Sequence, residues 1–383
     1  MINPGTHHWN AQQRVHYGRP AAAAAAEEAE LSGAQRVLVT TTRSLTQGPL
    51  VASVVSALGA RFAAKFDAIS AHTPRECVIA AAAYAREHAI DLIIAIGGGS
   101  VIDCSKATLL CLWRDIHRIE EMDRLATAPS DRSLWDADPQ RLRMIAVPTT
   151  LSAAEFTTSA GVTDVARHKK GRFNHPMIVP KTVILDPAAT LTTPQELFLS
   201  SGMRAMDHAV ERWLSIAPTP LADAVSLQAM QMLARALPAV RRDPGDVDAR
   251  LQAQVAAWLS IVTEAPVGAS HGLGYILGAA RAVPHGITSC ITLPAVLAWN
   301  ETVNGERQKI VSAQLGQADR SAAQAMRAFV ADLGVAGRLS DVGIGRSDLH
   351  DLATRYDGTG PISTNPRPVC GPQDIVEIFE LAL

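Results

Sequence analysis

The first half of the chain alternates short apolar runs with segments of helical periodicity. The apolar runs predict strands at 36–41, 60–66, 91–96, 143–148 and 182–186. Helical spacing between these runs predicts helices at Gly48–Gly59, Pro74–His88 and Ser100–Trp113. Residues 91–96, DLIIAI, are almost continuously apolar, which is typical of a strand that is buried on both faces. The alternation of strands and helices predicts a parallel, doubly wound α/β sheet.

After Pro194 the pattern changes to long, alanine- and leucine-rich segments with a period of 3.6 residues. Helices are predicted at Glu196–Ile216, Leu221–Val240, Val247–Glu264 and Glu306–Leu333. The turn-rich stretch Asp186–Pro194 separates the two patterns, so we expect two domains: an α/β domain over 1–190 and a helical domain over 191–383. A ligand site is expected in the cleft between two such halves.

Three other segments give weaker indications. The alanine run Ala21–Ala26 continues into EEAE and predicts a plain surface helix. The polar stretch Arg114–Leu142 predicts a long, solvated surface excursion. The charge-free stretch Ala282–Asn300 contains prolines and a His-Gly pair, which favours a buried turn and helix over a membrane span.

Composition narrows the class of protein. A length of 383 residues suits two domains, and a hydrophobic content of 48% supplies enough material for their cores. The formal net charge of −2, without a basic block, argues against nucleic-acid binding. Five scattered cysteines without CxxC spacing argue against a disulfide framework or a zinc knuckle. With no secretory signal visible, we expect a cytoplasmic protein that binds no membrane.

A glycine turn follows the most apolar predicted strand and opens a helix. It consists of Gly97, Gly98, Gly99 and Ser100. Glycines let a backbone approach a pyrophosphate closely, and a helix N-terminus offers unpaired N–H groups and a positive dipole end. A tight structural turn is the alternative, since this is not the GxGxxG pattern. The strand before it and the helix after it favour phosphate binding, and with it a dinucleotide-binding domain over 1–190.

Two further strand ends offer cofactor contacts. Thr149 and Thr150 follow a predicted strand, and their hydroxyl and amide groups suit a phosphate or a nicotinamide. Thr42 and Arg43 follow the first predicted strand, where an adenine ribose usually lies in such sheets. An acidic residue there would select NADH. An arginine is compatible with the 2′-phosphate of NADPH, so the sequence leaves the cofactor preference open.

Polar residues of three segments in the second half form a candidate reaction site. Arg204 and His208 are four residues apart and share one face of a predicted helix, where Asp207 is placed to pair with Arg204. His271 and Tyr275 have the same spacing further along. His285 follows Pro284, so it points back from a turn. Either these histidines share one site, or each is an ordinary hydrogen-bonded core residue.

Taken together, these segments resemble the iron-containing (group III) alcohol dehydrogenase family, which includes the maleylacetate reductases. The resemblance runs nearly end to end, with several motifs in the family's order. The matching segments are GGGSVIDCSK, PTTLSAAEFT, VILDP, GMRAMDHAVE, HGLGYILGAARAVPHG and NPRPV. The resemblance implies a dehydroquinate synthase-like fold, with a dinucleotide-binding domain followed by a helical metal or substrate domain. It also implies an NAD(P)H cofactor, cofactor contacts that include Asp103, and a homodimer.

The same resemblance implies a metal site, from which this chain departs. Metal-dependent members hold Fe²⁺ or Zn²⁺ with one aspartate and three histidines, and the histidines correspond to His208, His271 and His285. Arg204 stands at the aspartate position and cannot be a metal ligand, because it stays protonated. Tyr275 replaces a histidine that relays a proton in many members. Maleylacetate reductases also depart at the aspartate, although they often lack an acid at the position of Asp103.

Three functions remain as hypotheses. The first is an NAD(P)H-dependent oxidoreductase without a tightly held metal that interconverts an alcohol and a carbonyl, acting on a small aldehyde, ketone or oxo acid. The second is a conventional alcohol dehydrogenase in which three histidines suffice for Fe²⁺ or Zn²⁺. The third is a catalytically weak member that serves as a binding protein. The cofactor motifs favour retained chemistry, so we expect a small-molecule substrate, and a carboxylate would suit Arg204.

Overall fold

The computed structural model describes residues 6–125, 142–167 and 169–383. These residues form two compact units, Trp9–Thr192 and Thr193–Leu383, with residues 6–8 grouped with the second.

The first unit is built on a six-stranded parallel sheet and a separate antiparallel hairpin. Its strands are β1 (Arg14–Tyr17), β2 (Val37–Thr40), β3 (Phe62–Phe66), β4 (Leu92–Gly97), β5 (Arg143–Pro148), β6 (Ser159–Asp164), β7 (Lys169–Asn174) and β8 (Thr182–Leu185). The sheet has the order β1-β8-β5-β4-β2-β3, and β6 pairs with β7 in the hairpin. The predicted parallel sheet is therefore confirmed.

Helices cover both faces of this sheet. They are α1 (Ala21–Leu31), α2 (Pro49–Leu58), α3 (Arg75–Glu87) and α4 (Gly99–Trp113). Leu38 and Ile93 pack with α3 and α4 on one face, whereas Val39 and Ile94 pack with α1 and α2 on the other. Successive side chains of a strand point to opposite faces, so a continuous apolar run is needed where both faces are covered.

The chain changes direction across the sheet between β2 and β4. The strand that follows β2 in the chain, β3, lies on one side of it, and β4 lies on the other. The helix after β2 covers one face, and the helix after β4 covers the opposite face. In open parallel sheets, ligands bind at the carboxyl ends of two strands that diverge in this way.

The second unit is helical, and its described residues include no strand. Its helices are α5 (Gln195–Trp213), α6 (Pro220–Arg242), α7 (Val247–Ile261), α8 (Ala269–Arg281), α9 (His285–Gln314), α10 (Ala322–Leu333), α11 (Leu349–Ala353) and α12 (Pro372–Glu380). The helices predicted near α5, α6 and α7 agree with the structure to within three residues at each end. Among the described residues, no helix is long and apolar enough to cross a membrane.

Two predictions about helices were wrong. Residues 306–333 were expected to form one helix, but α9 ends at Gln314 and α10 begins at Ala322. Gly316 between them has a φ of +71°, and Ser321 caps the new helix with its side chain. Helix α1 was expected to lie on the surface, but Glu28 on it is fully buried. It accepts hydrogen bonds from Arg14 and Thr182, which tie α1 to the edge of the sheet.

Strand β1 and the β6–β7 hairpin were not predicted. Their sequences, RVHY, SAGVTD and KKGRFN, lack the apolar runs that indicated the other strands. Much of the polar excursion predicted over Arg114–Leu142 falls at 126–141, outside the described residues. Its beginning does not lie wholly on the surface, because Ile116, Met122 and Leu125 are buried.

Candidate active site

Three predicted cofactor segments lie at the carboxyl ends of the parallel strands. Strands β2, β4 and β5 are parallel neighbours, with Thr40 opposite Ala95 and Gly97 opposite Pro148. Their carboxyl ends therefore meet at the same edge. The structure thus brings together the glycine turn after β4, the threonine pair after β5 and the Thr42–Arg43 segment after β2.

The glycine turn has a backbone that other residues would disturb. Gly97 has a φ of +156°, and a Cβ atom there would lie 2.6 Å from Cγ2 of Val101. A Cβ on Gly98 would lie 3.0 Å from Cγ2 of Thr150. Helix α4 begins directly after Gly98, which offers no side chain to cap it. The first N–H groups of α4 are therefore open to an anion.

Hydroxyl groups surround this turn. The Oγ atoms of Thr150 and Ser152 are buried and have no hydrogen-bond partner among the described residues. The backbone N–H of Thr149 donates to the carbonyl of Gly97 at 3.1 Å, which fixes the threonine pair against the turn. A buried hydroxyl without a partner is costly, so such groups are expected to bind a ligand or water.

The other predicted cofactor residues have different surroundings. Arg43 is exposed, and the Thr42 hydroxyl lies 2.9 Å from Oγ of Ser44. Asp103, on α4, does not enter the turn. Its Oδ2 atom accepts the backbone N–H of Gly161 at 3.0 Å, at the beginning of the hairpin. This contact ties α4 to the hairpin.

The five predicted catalytic residues form one cluster within the helical unit. Arg204 and His208 lie on α5, His271 and Tyr275 on α8, and His285 is the first residue of α9. The rings of His208 and His271 are 4.8 Å apart, and those of Tyr275 and His285 are 6.1 Å apart. The Arg204 guanidinium lies 5.8 Å from the Tyr275 ring and joins the two pairs.

Glycines allow the three helices to approach this closely. A Cβ on Gly286 would lie 2.6 Å from the carbonyl carbon of Ser200, so the first turn of α9 rests on the backbone of α5. A Cβ on Gly274 would lie 2.8 Å from Oγ1 of Thr288, which keeps α8 and α9 equally close. Larger side chains at either position would push His285 or Tyr275 away from Arg204.

Arg204 is held by hydroxyl and carboxylate groups. Its Nη1 atom donates to Oγ of Ser289 at 3.1 Å and to Oδ2 of Asp207 at 3.5 Å. The same Oδ2 atom accepts hydrogen bonds from Ser289 at 2.6 Å and from Ser270 at 3.0 Å. All of these side chains are buried, so the guanidinium has a fixed position in the cluster.

Glu211 orients His271. Its oxygens accept the backbone N–H groups of Gly268 and Ser270, each at 2.8 Å, at the beginning of α8. Oε2 also accepts Nδ1 of His271 at 2.6 Å, which sets the orientation of the ring. Glu211 was not among the site residues predicted from the sequence. The signal was present, since it lies three residues after His208 and belongs to the GMRAMDHAVE segment.

Burial governs the protonation of the cluster. It raises the pKa of Asp207 to about 8, with the neighbouring Glu211 adding to the effect, while Arg204 and the serine hydroxyls oppose it. Burial also lowers the pKa of His208 well below its usual value, and the nearby His271 and Arg204 lower it further. His208 is therefore a neutral imidazole near pH 7 and cannot donate a proton as an imidazolium.

Three side chains of the cluster have the spacing of metal ligands, but they already take part in hydrogen bonds. Asp207, Glu211 and His271 each place a ligand atom within 4.8 Å of the others, a spacing that an ion would require. However, the Glu211 oxygens already accept backbone N–H groups and His271. Oδ2 of Asp207 accepts two hydroxyls beside Arg204. A hydrogen-bonded network accounts for these contacts, and Arg204 stands at the position where the resemblance implies an aspartate ligand.

Comparisons with known proteins agree with the sequence motifs. The model of the iron-containing alcohol dehydrogenase family matches residues 12–187, and that of its C-terminal part matches 198–383. Dehydrogenase FUM7 of Gibberella moniliformis is 30% identical, over 97% of this chain and 96% of that protein. The maleylacetate reductase of Pseudomonas sp. (strain P51) is also 30% identical, over 93% and 92%. The crystal structure of the maleylacetate reductase from Agrobacterium tumefaciens superposes with a TM-score of 0.84, at 26% identity, over 100% of this chain and 99% of that one.

Proposed function

The chain belongs to the iron-containing alcohol dehydrogenase family, whose members are oxidoreductases, and we propose that it reduces a small oxo acid with NAD(P)H without a tightly held metal. The observation that carries this proposal is the place of Arg204. It lies among the three histidines and Tyr275, where metal-dependent members have an aspartate ligand. A buried guanidinium can do what the metal would do, which is to bind and polarise an oxygen.

The groups in the cluster suit carbonyl reduction. NAD(P)H supplies the hydride to the carbonyl carbon. Arg204 stabilises the negative charge that develops on the carbonyl oxygen, because its guanidinium is fixed by Ser289 and Asp207 before the substrate arrives. Tyr275, beside Arg204, donates the proton that converts the alkoxide to the alcohol. Neutral His208 is unsuited to that donation, since it would need to be an imidazolium.

An acidic substrate follows from the charge of the cluster. A guanidinium binds a carboxylate through two parallel hydrogen bonds, and burial strengthens that attraction. Some relatives are named maleylacetate reductases, after a carboxylate substrate, which supports this class. The test is NAD(P)H oxidation by the purified protein with matched aldehydes, ketones and oxo acids. We expect oxo acids to be reduced with the highest kcat/KM, and no turnover with any carbonyl would contradict the proposal.

Gly98→Val is expected to abolish NAD(P)H binding. The branched side chain would enter the turn where the pyrophosphate is proposed to lie, and its Cβ would crowd Thr150 at 3.0 Å. We expect the dissociation constant measured by calorimetry to rise at least tenfold, or about 1.4 kcal/mol. Gly171→Val is the control, because a Cβ on Gly171 in β7 makes only ordinary contacts, at 3.6 Å or more. Unchanged affinity in Gly98→Val would reject the assignment.

Arg43→Asp is expected to weaken the binding of NADPH much more than that of NADH. Arg43 is exposed after β2, where the adenine ribose is proposed to lie, and a carboxylate there would repel the 2′-phosphate. We expect a loss of roughly tenfold or more for NADPH, measured as kcat/KM for each cofactor. Arg36→Asp makes the same charge change at the opposite end of β2 and serves as the control. Equal losses for both cofactors would place the ribose elsewhere.

A further inference from the structure

A lysine is completely buried beneath the glycine turn. Lys106 lies on α4 and has no exposed surface. Its Nζ atom donates to the carbonyl oxygens of Ala154 at 2.5 Å, Thr157 at 2.7 Å and Ser159 at 3.0 Å, and it contacts Oγ1 of Thr157 at 3.0 Å. Four acceptors on a single ammonium group are enough to offset the cost of removing the charge from water.

All four acceptors belong to one irregular segment. Residues 154–159 connect the threonine pair after β5 to the hairpin; they contain a single 3₁₀ turn, Ala154–Phe156, and end at Ser159, the first residue of β6. Ala153, directly before them, has a φ of +58°, which a residue with a side chain adopts only when its neighbours hold it there. The ammonium group of Lys106 therefore fixes the backbone carbonyls of this segment, which in a strand would be fixed by hydrogen bonds to a neighbouring strand.

The segment held by Lys106 also forms a wall of the glycine turn. A Cβ on Gly99 would lie 3.1 Å from Oγ of Ser152, and one on Gly98 would lie 3.0 Å from Thr150. Asp103, one turn before Lys106 on α4, accepts the N–H of Gly161 in β6, just beyond the segment. Two side chains of one helix thus fix the loop that faces the N-terminus of the same helix.

Packing alone does not require a charge at this position. A methionine would fill the same channel along α4 without the cost of burying an ammonium group. Burial lowers the pKa of Lys106 to about 8, with Asp103 and Glu155 opposing the change, so the side chain is still mainly charged near pH 7. What the charge adds is a defined position for three carbonyl groups, and hence for the hydroxyls of Thr150 and Ser152.

We propose that Lys106 is a positioning residue for NAD(P)H, because it anchors residues 154–159 and thereby holds Thr150 and Ser152 against the glycine turn. The inference rests on the proposed function, since it assumes that this turn binds the cofactor. It assigns no contact with the cofactor to Lys106 itself. Its effect should therefore appear in cofactor affinity and not in the chemistry of the carbonyl.

Lys106→Met tests the inference. We expect the dissociation constants of NADH and NADPH, measured by calorimetry, to rise roughly tenfold or more, with the KM of the cofactor rising in proportion. At saturating cofactor, kcat and the KM of the carbonyl substrate should stay within about twofold of the wild-type values. A residue that only stabilises the fold would lower the melting temperature without this division between the two substrates.

Arg143→Met is the matched control. Arg143 is another buried cation of the same unit, and it donates to the carbonyls of Ala11 at 3.3 Å and Val179 at 3.0 Å. It lies at the amino end of β5, away from the turn. We expect this variant to lose stability and keep its cofactor affinity. Equal weakening in both variants would overturn the inference, because general loosening would then explain the effect.

A milder variant keeps the test decisive should Lys106→Met fail to fold. Thr157→Val preserves the shape of the side chain but removes one acceptor of Lys106, together with the contacts of that hydroxyl with the Ala154 and Ser159 carbonyls. A loss of cofactor affinity of roughly threefold is expected, because the three carbonyl acceptors of Lys106 remain. If Lys106→Met folds and binds the cofactor with wild-type affinity, the inference is overturned. If only Thr157→Val folds, wild-type cofactor affinity in that variant overturns it. Wild-type protein that binds neither NADH nor NADPH would overturn the proposed function first, and the inference with it.

Discussion

Protein purified without added metal is expected to contain no stoichiometric iron or zinc, and to keep its activity in the presence of a chelator. Elemental analysis and NAD(P)H oxidation with and without the chelator are the measurements. The reason is the charge of the cluster. Arg204 pairs with Asp207, and Arg212, one turn beyond His208 on α5, adds a second positive charge that Glu211 attracts. No negative charge is therefore left over for a dication.

The electrostatic repulsion between the Arg204 guanidinium and a dication is large enough to favour exclusion of the ion. At an effective dielectric constant of about 20, two like unit charges ~4 Å apart repel by roughly 4 kcal/mol, and a dication doubles this. Histidine ligands bind a metal as neutral imidazoles, so they supply no compensating negative charge. The carboxylates nearby are engaged by hydroxyls, backbone N–H groups and His271, so recruiting them as ligands would break those hydrogen bonds.

Two variants separate the loss of the cation from the gain of a ligand. Arg204→Leu removes the repulsion without adding an anion, so weak and reversible metal binding is expected. Arg204→Asp adds the anionic ligand of the family as well, and stoichiometric metal is expected together with lower turnover of the native substrate. Wild-type protein that holds one tight metal per chain and loses all activity when the metal is stripped would defeat the argument.

The parts of the fold that the sequence predicts are those with strong local patterns. DLIIAI reads as a strand buried on both faces because helices do cover both faces of β4. The break between α9 and α10 was missed because alanine-rich periodicity continues through 306–333, while the signals for the turn are two short ones, Gly316 and the capping residue Ser321. The buried face of α1 was missed because alanine carries little hydrophobic contrast, and only contacts distant in sequence reveal it.

In the candidate site, too, contacts within one helix could be predicted from the sequence, whereas contacts between helices could not. Arg204 and His208, or His271 and Tyr275, are one helical turn apart, so their shared faces follow from spacing alone. The sequence cannot show that Glu211 accepts the N–H groups of Gly268 and Ser270, because that contact joins two helices. Nor does spacing reveal the acceptors of Lys106, which lie about fifty residues further along the chain. Contacts of this kind follow from tertiary packing.

Arg204→Leu is also expected to remove most of the catalytic activity. If Arg204 stabilises the developing alkoxide, its loss should lower kcat by roughly 10² to 10³, as removal of one preorganised donor does elsewhere. The measurement is kcat and KM for an oxo acid and for a neutral aldehyde of similar size. Loss of alkoxide stabilisation lowers kcat for both substrates, whereas loss of a carboxylate clamp raises KM for the oxo acid alone.

Arg250→Leu controls for the removal of a buried arginine from the same unit. Arg250 lies on α7, with its guanidinium 4.5 Å from the Phe198 ring and Nε donating to the carbonyl of Pro244. Its loss should lower stability and leave kcat unchanged.

Arg204→Lys keeps the charge but not the planar pair of donors. Partial activity of this variant is expected if Arg204 acts mainly by stabilising charge, and almost no activity if it acts mainly by binding the substrate at two points. Full activity of Arg204→Leu on both substrates would remove Arg204 from the reaction altogether, and the histidines and Tyr275 would have to act without it.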